Sequence, residues 1–350
     1  MEKSLKALVF HGPWELAVEE RPDPVAGDGE VLLRVLATGI CGSDLHGFTG
    51  ENGRRHPGQV MGHETVAQVE TDGSATFEPG TLVTVNPVIG CGSCENCAQG
   101  EPQRCPDRRV IGVAKELSSA FAEKMVVPVG NVVVLPEGVP ADVGGLVEPL
   151  AVGYHAARRA HVTGADAVLI LGGGPIGQAA ALAARRLGSE QVLVSEPDPV
   201  RRAVVELLGF LTVDPVGVAA TEVAAALPQK PTVVLDAVGT TTTLQTALEA
   251  SSLGARIVLV GMNAPKVELS AYAVSTEERS IIGSFCYNAR EFAETADWAA
   301  AHAEELLPLI DGRVGLTGAP NAFTQLSKGE LKASKVLVYL GSDNGARSAV

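Results

Sequence analysis

Apolar positions along the chain follow two rhythms. Over residues 1–150 they come in short runs, such as 31–36 and 81–85, separated by Gly and Pro. Short apolar runs between turn formers predict strands. The character changes near Glu148-Pro149-Leu150, where an Ala-rich helix is predicted over 151–160. From residue 167 strands and helices alternate. Strands are predicted at 167–171, 191–195, 232–236, 256–260 and 280–285, with a small-residue helix at 175–187 and further helices between the later strands. Such alternation predicts a parallel sheet covered on both faces, hence an α/β chain. An Ala- and Glu-rich helix is predicted over 290–310, and β-like sequence returns at 335–340. The last ten residues are polar and read as a tail that frays or docks.

Length changes the picture little: 350 residues suit two domains with sizeable cores. Charge changes it more. Twenty-seven basic against forty-one acidic residues leave a net charge of −14, which opposes non-specific binding to nucleic acid or to an anionic membrane. The opening Met-Glu-Lys-Ser-Leu-Lys-Ala has no apolar signal core, and no run reaches the ~20 apolar residues of a membrane helix. A cytoplasmic protein with reduced thiols is therefore expected.

Four of the six cysteines, Cys91, Cys94, Cys97 and Cys105, fall within fifteen residues as C-x2-C-x2-C-x7-C. Four thiolates that close together suit one closed, tetrahedral, structural zinc. Three disulfides are the competing use of six cysteines, and C-x2-C pairs without an export signal favour metal. Cys41 lies apart, in Gly-Ile-Cys-Gly-Ser-Asp-Leu-His, with Gly62-His63-Glu64 following. Cys41, His63, Glu64 and Glu148 are candidates for a second zinc with an open position for chemistry. On a regular strand His63 and Glu64 point to opposite faces, so both reach one metal only if the backbone kinks at Gly62. Otherwise Glu64 stands behind the ligands. Ser43 and His46 follow Cys41 by two and five residues. They could pass a proton from substrate to water, or be ordinary turn and surface residues.

Gly172-Gly173-Gly174-Pro175-Ile176-Gly177 fits G-x-G-x-x-G, after a predicted strand and at the start of a predicted helix. Gly172 suits the tight turn, Gly174 the approach of a pyrophosphate, and Gly177 close helix–strand packing. Glu196 follows Gly177 by nineteen residues, at the end of the second strand. An acid there accepts from ribose hydroxyls and repels a 2′-phosphate, which predicts NAD over NADP. Arg201 and Arg202 stand beside it and could serve a 2′-phosphate instead. The competing reading is a Gly-rich turn that only packs a helix on a sheet.

Taken in order, Cys-Gly-Ser-Asp-Leu-His, Gly-His-Glu, the four-cysteine lobe, Glu-Pro-Leu and Gly-Gly-Gly-Pro-Ile-Gly resemble the zinc-dependent medium-chain dehydrogenase/reductase family over nearly the whole chain. The resemblance is closest to the sorbitol, 2,3-butanediol and threonine dehydrogenase branches. It implies a GroES-like β-rich catalytic domain from 1–150 completed by 288–350, a Rossmann doubly wound domain at 151–287, and an active site in the cleft. It implies two zincs per chain and NAD. Cys41 and His63 match catalytic zinc ligands, Glu64 the carboxylate ligand of the polyol branch, and Glu148 a residue that contacts zinc directly or through water. Ser43 and His46 match the proton relay, and Arg201 an arginine beside the adenosine. It further implies a small alcohol or polyol substrate and a homodimer or homotetramer. Two departures are visible: Ala67 stands where a glycine is common, and Ser118-Ser119-Ala120-Phe121 replaces a Gly-Gly-Phe segment.

The leading expectation is an NAD-dependent oxidoreductase interconverting a secondary alcohol and a ketone. The alternatives are a threonine 3-dehydrogenase, a phosphorylated-polyol dehydrogenase using Arg54 and Arg55 as anion anchors, and a catalytically silent nucleotide-binding scaffold. The last has no chemical need for Cys41, His63 and Ser43 together.

Overall fold

Residues 4–341, apart from 52 and 74, are described by the structure, a computed structural model; the polar tail from 342 onward lies outside them. The chain divides into two units, Met1–Glu148 with Asn288–Val350, and Pro149–Tyr287.

The first unit is built on β-structure. Ser4–Gly12 and Glu15–Pro22 form a hairpin, to which Gln59–Val60 adds. A seven-stranded sheet runs in the order Val132–Val134, Leu82–Val85, Glu64–Asp72, Glu30–Gly39, Lys335–Tyr339, Ile310–Gly315, with Lys124–Pro128 also paired to Glu30–Gly39. Period-two alternation fixes the register of the central strand: Val31, Leu33 and Val35 are buried while Arg34 is exposed. Their core includes Val69, Val83, Met125, Phe121 and Phe323. Phe323 meets Phe48 and Phe121 edge-on, with ring centroids 5.6 and 5.4 Å away. The C-terminal return lays Lys335–Tyr339 antiparallel on Glu30–Gly39, with Leu337 opposite Gly39. That pairing carries Lys335 to the end of the sheet where Cys41 begins the helix Gly42–Thr49.

The helix expected over 290–310 is shorter than its composition suggests. Asn288 caps its start by accepting from the Glu291 N–H at 2.8 Å. The helix Ala289–Ala301 ends at His302, whose ψ of 24° leaves the helical range, and a short second turn Ala303–Leu306 follows. Pro308, with no N–H to give, sits in the last turn before the strand Ile310–Gly315 begins.

In the second unit six parallel strands lie in the order Leu211–Val213, Gln191–Ser195, Ala167–Leu171, Val233–Asp236, Arg256–Leu259, Ser280–Gly283. Counted within the unit this is 3-2-1-4-5-6, the doubly wound order with its reversal beside the first strand. Every residue of Ala167–Leu171 is buried, as a central parallel strand with two covered faces requires. The sequence pattern did not reveal Leu211–Val213, because it has three residues and Leu211 is exposed. The last strand stops at Gly283, two residues short of the expected end. No helix among the described residues is long and apolar enough to cross a membrane.

Candidate functional sites

The four-cysteine loop folds as its spacing requires. Cys94 precedes the single helical turn Glu95–Ala98, and Cys105 follows the turn Pro102–Arg104. One sulfur from each of Cys91, Cys94, Cys97 and Cys105 lies within 4.8 Å of the other three. Gly90 lets the loop close: a Cβ there would sit 2.5 Å from the Cys97 sulfur. The Ser93 and Cys94 N–H groups and the Ser93 hydroxyl hold the Cys91 thiol down at about 6, so the thiolate that a metal needs is already favoured. Cys91, Cys94, Cys97 and Cys105 are in no disulfide, which leaves the disulfide reading of this loop without support. Four sulfurs with no carboxylate among them fit a closed zinc site. Cys97→Ser should lower bound zinc by about one per chain and lower the melting temperature of the loop's unit, since metal binding and local folding are one equilibrium. Unchanged zinc content by atomic absorption, with an unchanged melt, would refute the four-thiolate site.

The second cluster is assembled by a backbone kink at Gly62, the condition under which His63 and Glu64 can reach one metal. Gly62 has φ +98°, and the strand Glu64–Asp72 starts only after His63. The kink is caged. The Phe121 N–H donates to Met61 O at 2.9 Å and the Ala120 N–H to Gly62 O at 3.2 Å. A Cβ on Gly62 would meet the Phe121 ring and N at 2.9 Å, and one on Gly112 would meet Gly62 O at 2.6 Å. Here the serine departures find their use. The Ser119 hydroxyl accepts from the Gly112 N–H at 2.9 Å, and the Ser118 hydroxyl accepts from the Val126 N–H at 3.1 Å. Ala67, the other departure, is buried in the sheet core.

As a result Cys41, His63 and Glu64 bring one ligand atom each within 4.8 Å of one another. Glu148, in the first turn of the helix Val147–Arg159, is buried and its charge acts on His63, but it does not join that compact group.

Two buried carboxylates, Glu64 within this group and Asp44 beside it, each face a buried cation. Glu64 accepts from Lys335 Nζ through both oxygens, at 2.6 and 2.5 Å, and both side chains are 3% exposed or less. Gly39 makes room for Glu64, because a Cβ there would overlap its carboxylate. Asp44 accepts from the Cys41 N–H at 3.2 Å and faces His63 Nδ1 at 3.6 Å and Arg55 Nη2 at 3.4 Å. Gly47 gives Arg55 its space, since a Cβ there would lie 2.6 Å from its Cγ. Burial opposes the charged form of His63, but Asp44, Cys41 and Glu148 outweigh it and hold its pKa well above the ordinary value. Burial likewise opposes the charged Lys335, and Glu64 foremost keeps its pKa raised.

The expectation for Arg55 as an anion anchor fails. Its side chain is 1% exposed and is committed to Asp44 and to Ser43 O, so it faces no substrate. Arg54 is exposed. Asp44 and Lys335 are the residues around this cluster that sequence reasoning missed, and Arg55 is the one to which it gave the wrong role. The i+3 spacing of Asp44 after Cys41 was a usable signal; the distant Lys335 had none. Ser43 and His46 lie one turn apart on Gly42–Thr49, and His46 Nδ1 meets Glu51 Oε2 at 2.6 Å near the surface.

The glycine turn is also as expected. Gly172 ends the strand Ala167–Leu171 with φ +94°, and Gly174 precedes the helix Pro175–Arg186, with Pro175 and Ile176 in its first turn. A Cβ on Gly177 would lie 1.7 Å from Gly172 O, so only glycine lets helix and strand approach. Glu196 follows the strand Gln191–Ser195 and is buried. Its Oε2 accepts from the Gly173 N–H at 2.7 Å and its Oε1 from the Asp198 N–H at 2.8 Å. The carboxylate is thus fixed beside the turn, with lone pairs left for further donors. Arg201 is exposed.

Two family models match the chain. Residues 27–137 match the alcohol dehydrogenase GroES-like domain, and residues 175–301 match the zinc-binding dehydrogenase family. The 2-dehydro-3-deoxy-L-galactonate 5-dehydrogenase of Pseudoalteromonas atlantica is 32% identical, over 90% of this chain and 93% of its own. The sorbitol dehydrogenase of Bacillus subtilis is 28% identical, over 96% and 98%. Among solved structures, a Sinorhizobium meliloti protein described as a zinc-binding dehydrogenase bound to NADP superposes with a TM-score of 0.87. It is 29% identical, over 96% of this chain and 99% of that one.

Proposed function

Because the chain belongs to the zinc-containing medium-chain alcohol dehydrogenase family, a family of zinc-dependent, NAD(P)-linked CH–OH oxidoreductases, we propose that it interconverts a secondary alcohol of a polyol, vicinal diol or sugar acid with the corresponding ketone, using NAD. The observation that carries this reading is the convergence of Cys41, His63 and Glu64 on a kink caged by Phe121, apart from the four-thiol lobe. A thiolate, an imidazole and a carboxylate fit a zinc with an exchangeable position. Cys41 and His63 would hold it, with Glu64 or Glu148 as the third ligand. Zinc bound there supplies a Lewis acid for the alcohol oxygen.

The protein's own groups do the rest. Asp44 places its charge 3.6 Å from His63 Nδ1 and ties down the Cys41 backbone. Ser43 Oγ takes the hydroxyl proton of the substrate, and the His46 ring, half-exposed beside Glu51, returns it to water. Glu196 accepts from the adenosine ribose hydroxyls, and its charge disfavours a 2′-phosphate. The first turn of Pro175–Arg186, entered through Gly172 and Gly174, receives the pyrophosphate.

The carboxylates at the Cys41 cluster favour a polyhydroxyl substrate, one oxygen reacting and its neighbour held by a carboxylate. The two relatives point the same way, since one is named for sorbitol and the other for a sugar acid. Kinetics on sorbitol, 2,3-butanediol, galactonate, L-threonine and ethanol, followed by NADH absorbance, test it. We expect the polyhydroxyl compounds to lead and ethanol to trail by about tenfold or more in kcat/KM, the worth of one well-placed hydrogen bond. Ethanol in first place would overturn the reading; threonine in first place would select the amino-alcohol alternative. A homodimer or homotetramer is part of the proposal: Ser280–Gly283 is an edge strand, and Met262, Tyr272 and Phe285, near it in sequence, are exposed. Sedimentation equilibrium showing monomer alone would remove that part.

A further inference from the structure

Two adjacent arginines follow Glu196, and the structure treats them differently. Glu196 is pinned on three sides: its N–H donates to Val213 O at 3.0 Å, and its two carboxylate oxygens accept from Gly173 and Asp198. Pro197 and Pro199 stiffen the turn that follows, and Asp198 caps the helix Pro199–Leu207 by accepting from the Val200 and Arg201 N–H groups at 2.8 and 3.3 Å. Arg202, in the first turn of that helix, folds back over the same turn. Its Nη1 donates to Glu196 O at 2.7 Å and to Pro197 O at 2.8 Å, and lies 3.2 Å from Asp214 Oδ2. Asp214 is the first residue beyond the neighbouring strand Leu211–Val213, and its other oxygen accepts from the Val216 N–H at 3.0 Å. Arg202 is 19% exposed while Arg201 is open to solvent.

We propose that Arg202 and Asp214 are specificity-determining residues for the dinucleotide: Arg202 staples the acidic turn, and Asp214 holds its guanidinium there, away from a 2′-phosphate. The inference rests on the reading of Glu196 as the ribose acid. A 2′-phosphate brings about two negative charges and needs a cation to meet them. Beside Glu196 the Arg202 cation is spent on two carbonyls and a carboxylate. Asp214 adds a second negative charge at the ends of adjacent parallel strands. An arginine within two helical turns of the ribose acid thus serves the 2′-hydroxyl form, because its partner sits one strand over.

The test is equilibrium binding of NADH and NADPH to the full chain by cofactor fluorescence, which needs no turnover. Asp214→Asn should leave NADH binding within about twofold and tighten NADPH about fivefold, the effect of one part-exposed charge. Arg202→Ala combined with Asp214→Asn should lose that gain, because the guanidinium that Asp214→Asn releases is then gone while Arg201 is the same in both variants. An unchanged NADPH/NADH ratio in Asp214→Asn would overturn the proposal. So would a gain that survives in the double variant, since Asp214 would then act by its charge alone. Glu196→Gln separates the two readings. A ratio that shifts there but not in Asp214→Asn condemns only the Arg202–Asp214 device; a ratio unmoved by Glu196→Gln condemns the ribose assignment itself.

Discussion

Replacing Cys41 with Ala should lower kcat/KM by about 10³-fold or more, release about one zinc per chain, and leave NADH binding unchanged. The magnitude follows from the charge stabilisation of several kcal/mol that a metal site contributes to a reacting oxygen, at 1.36 kcal/mol per tenfold. The selectivity follows from placement. Cys41 stands at the start of the helix Gly42–Thr49, and its sulfur belongs to a ligand group separate from the four-thiol lobe. The glycine turn and Glu196 lie in the other unit of the chain. Cys41→Ala therefore removes one corner of a three-residue cluster and keeps the lobe that stabilises its unit. Zinc per chain by atomic absorption, NADH titration and thermal melting measure the three consequences separately. Wild-type turnover in the variant would remove Cys41 from the chemistry. Loss of NADH binding along with zinc would show a folding defect, which the Cys97→Ser variant serves to calibrate.

Much of this arrangement was legible in the sequence where the signal is local. The C-x2-C-x2-C-x7-C spacing already confines four sulfurs to one loop. Strand, glycine turn, helix and acid appeared in the order that a parallel sheet imposes. The Gly62 kink was legible as a condition, because His63 and Glu64 cannot share a metal from a regular strand, but whether Glu64 joined the ligands stayed open. What was not legible depends on contacts distant in sequence. Lys335 lies 271 residues from Glu64, and only the antiparallel pairing of Lys335–Tyr339 with Glu30–Gly39 brings them together. Arg55 read as a surface anion anchor because two arginines in a polar loop usually face water. The glycine at 47, which lets it turn inward to Asp44, carries no such message by itself. The helix expected over 290–310 is cut short for a local reason that composition hides: Ala and Glu favour the helix throughout, but His302 breaks its dihedrals and Pro308 sits in the last turn before the next strand.

The Glu64–Lys335 pair supports the other large effect. Lys335→Met should destabilise the first unit by about 3–5 kcal/mol, because removing one partner of a buried ion pair strands the other charge. Glu64 is fully buried, and Lys335 Nζ reaches both of its oxygens. Gly39 lies against the carboxylate with no side chain to offer, and Arg55 is committed to Asp44. Glu64→Gln together with Lys335→Met should recover most of the loss, since a neutral amide beside an apolar chain of similar length leaves no uncompensated charge. Urea denaturation of the two variants, with zinc content measured in each, gives the comparison. A single variant no less stable than the double would show that Glu64 finds another partner when Lys335 is gone. If instead Lys335→Met is strongly destabilised at full zinc content, the lysine is what permits a buried carboxylate to stand next to the thiolate of Cys41. The charge balance of the metal cluster would then depend on a residue from the last strand of the chain.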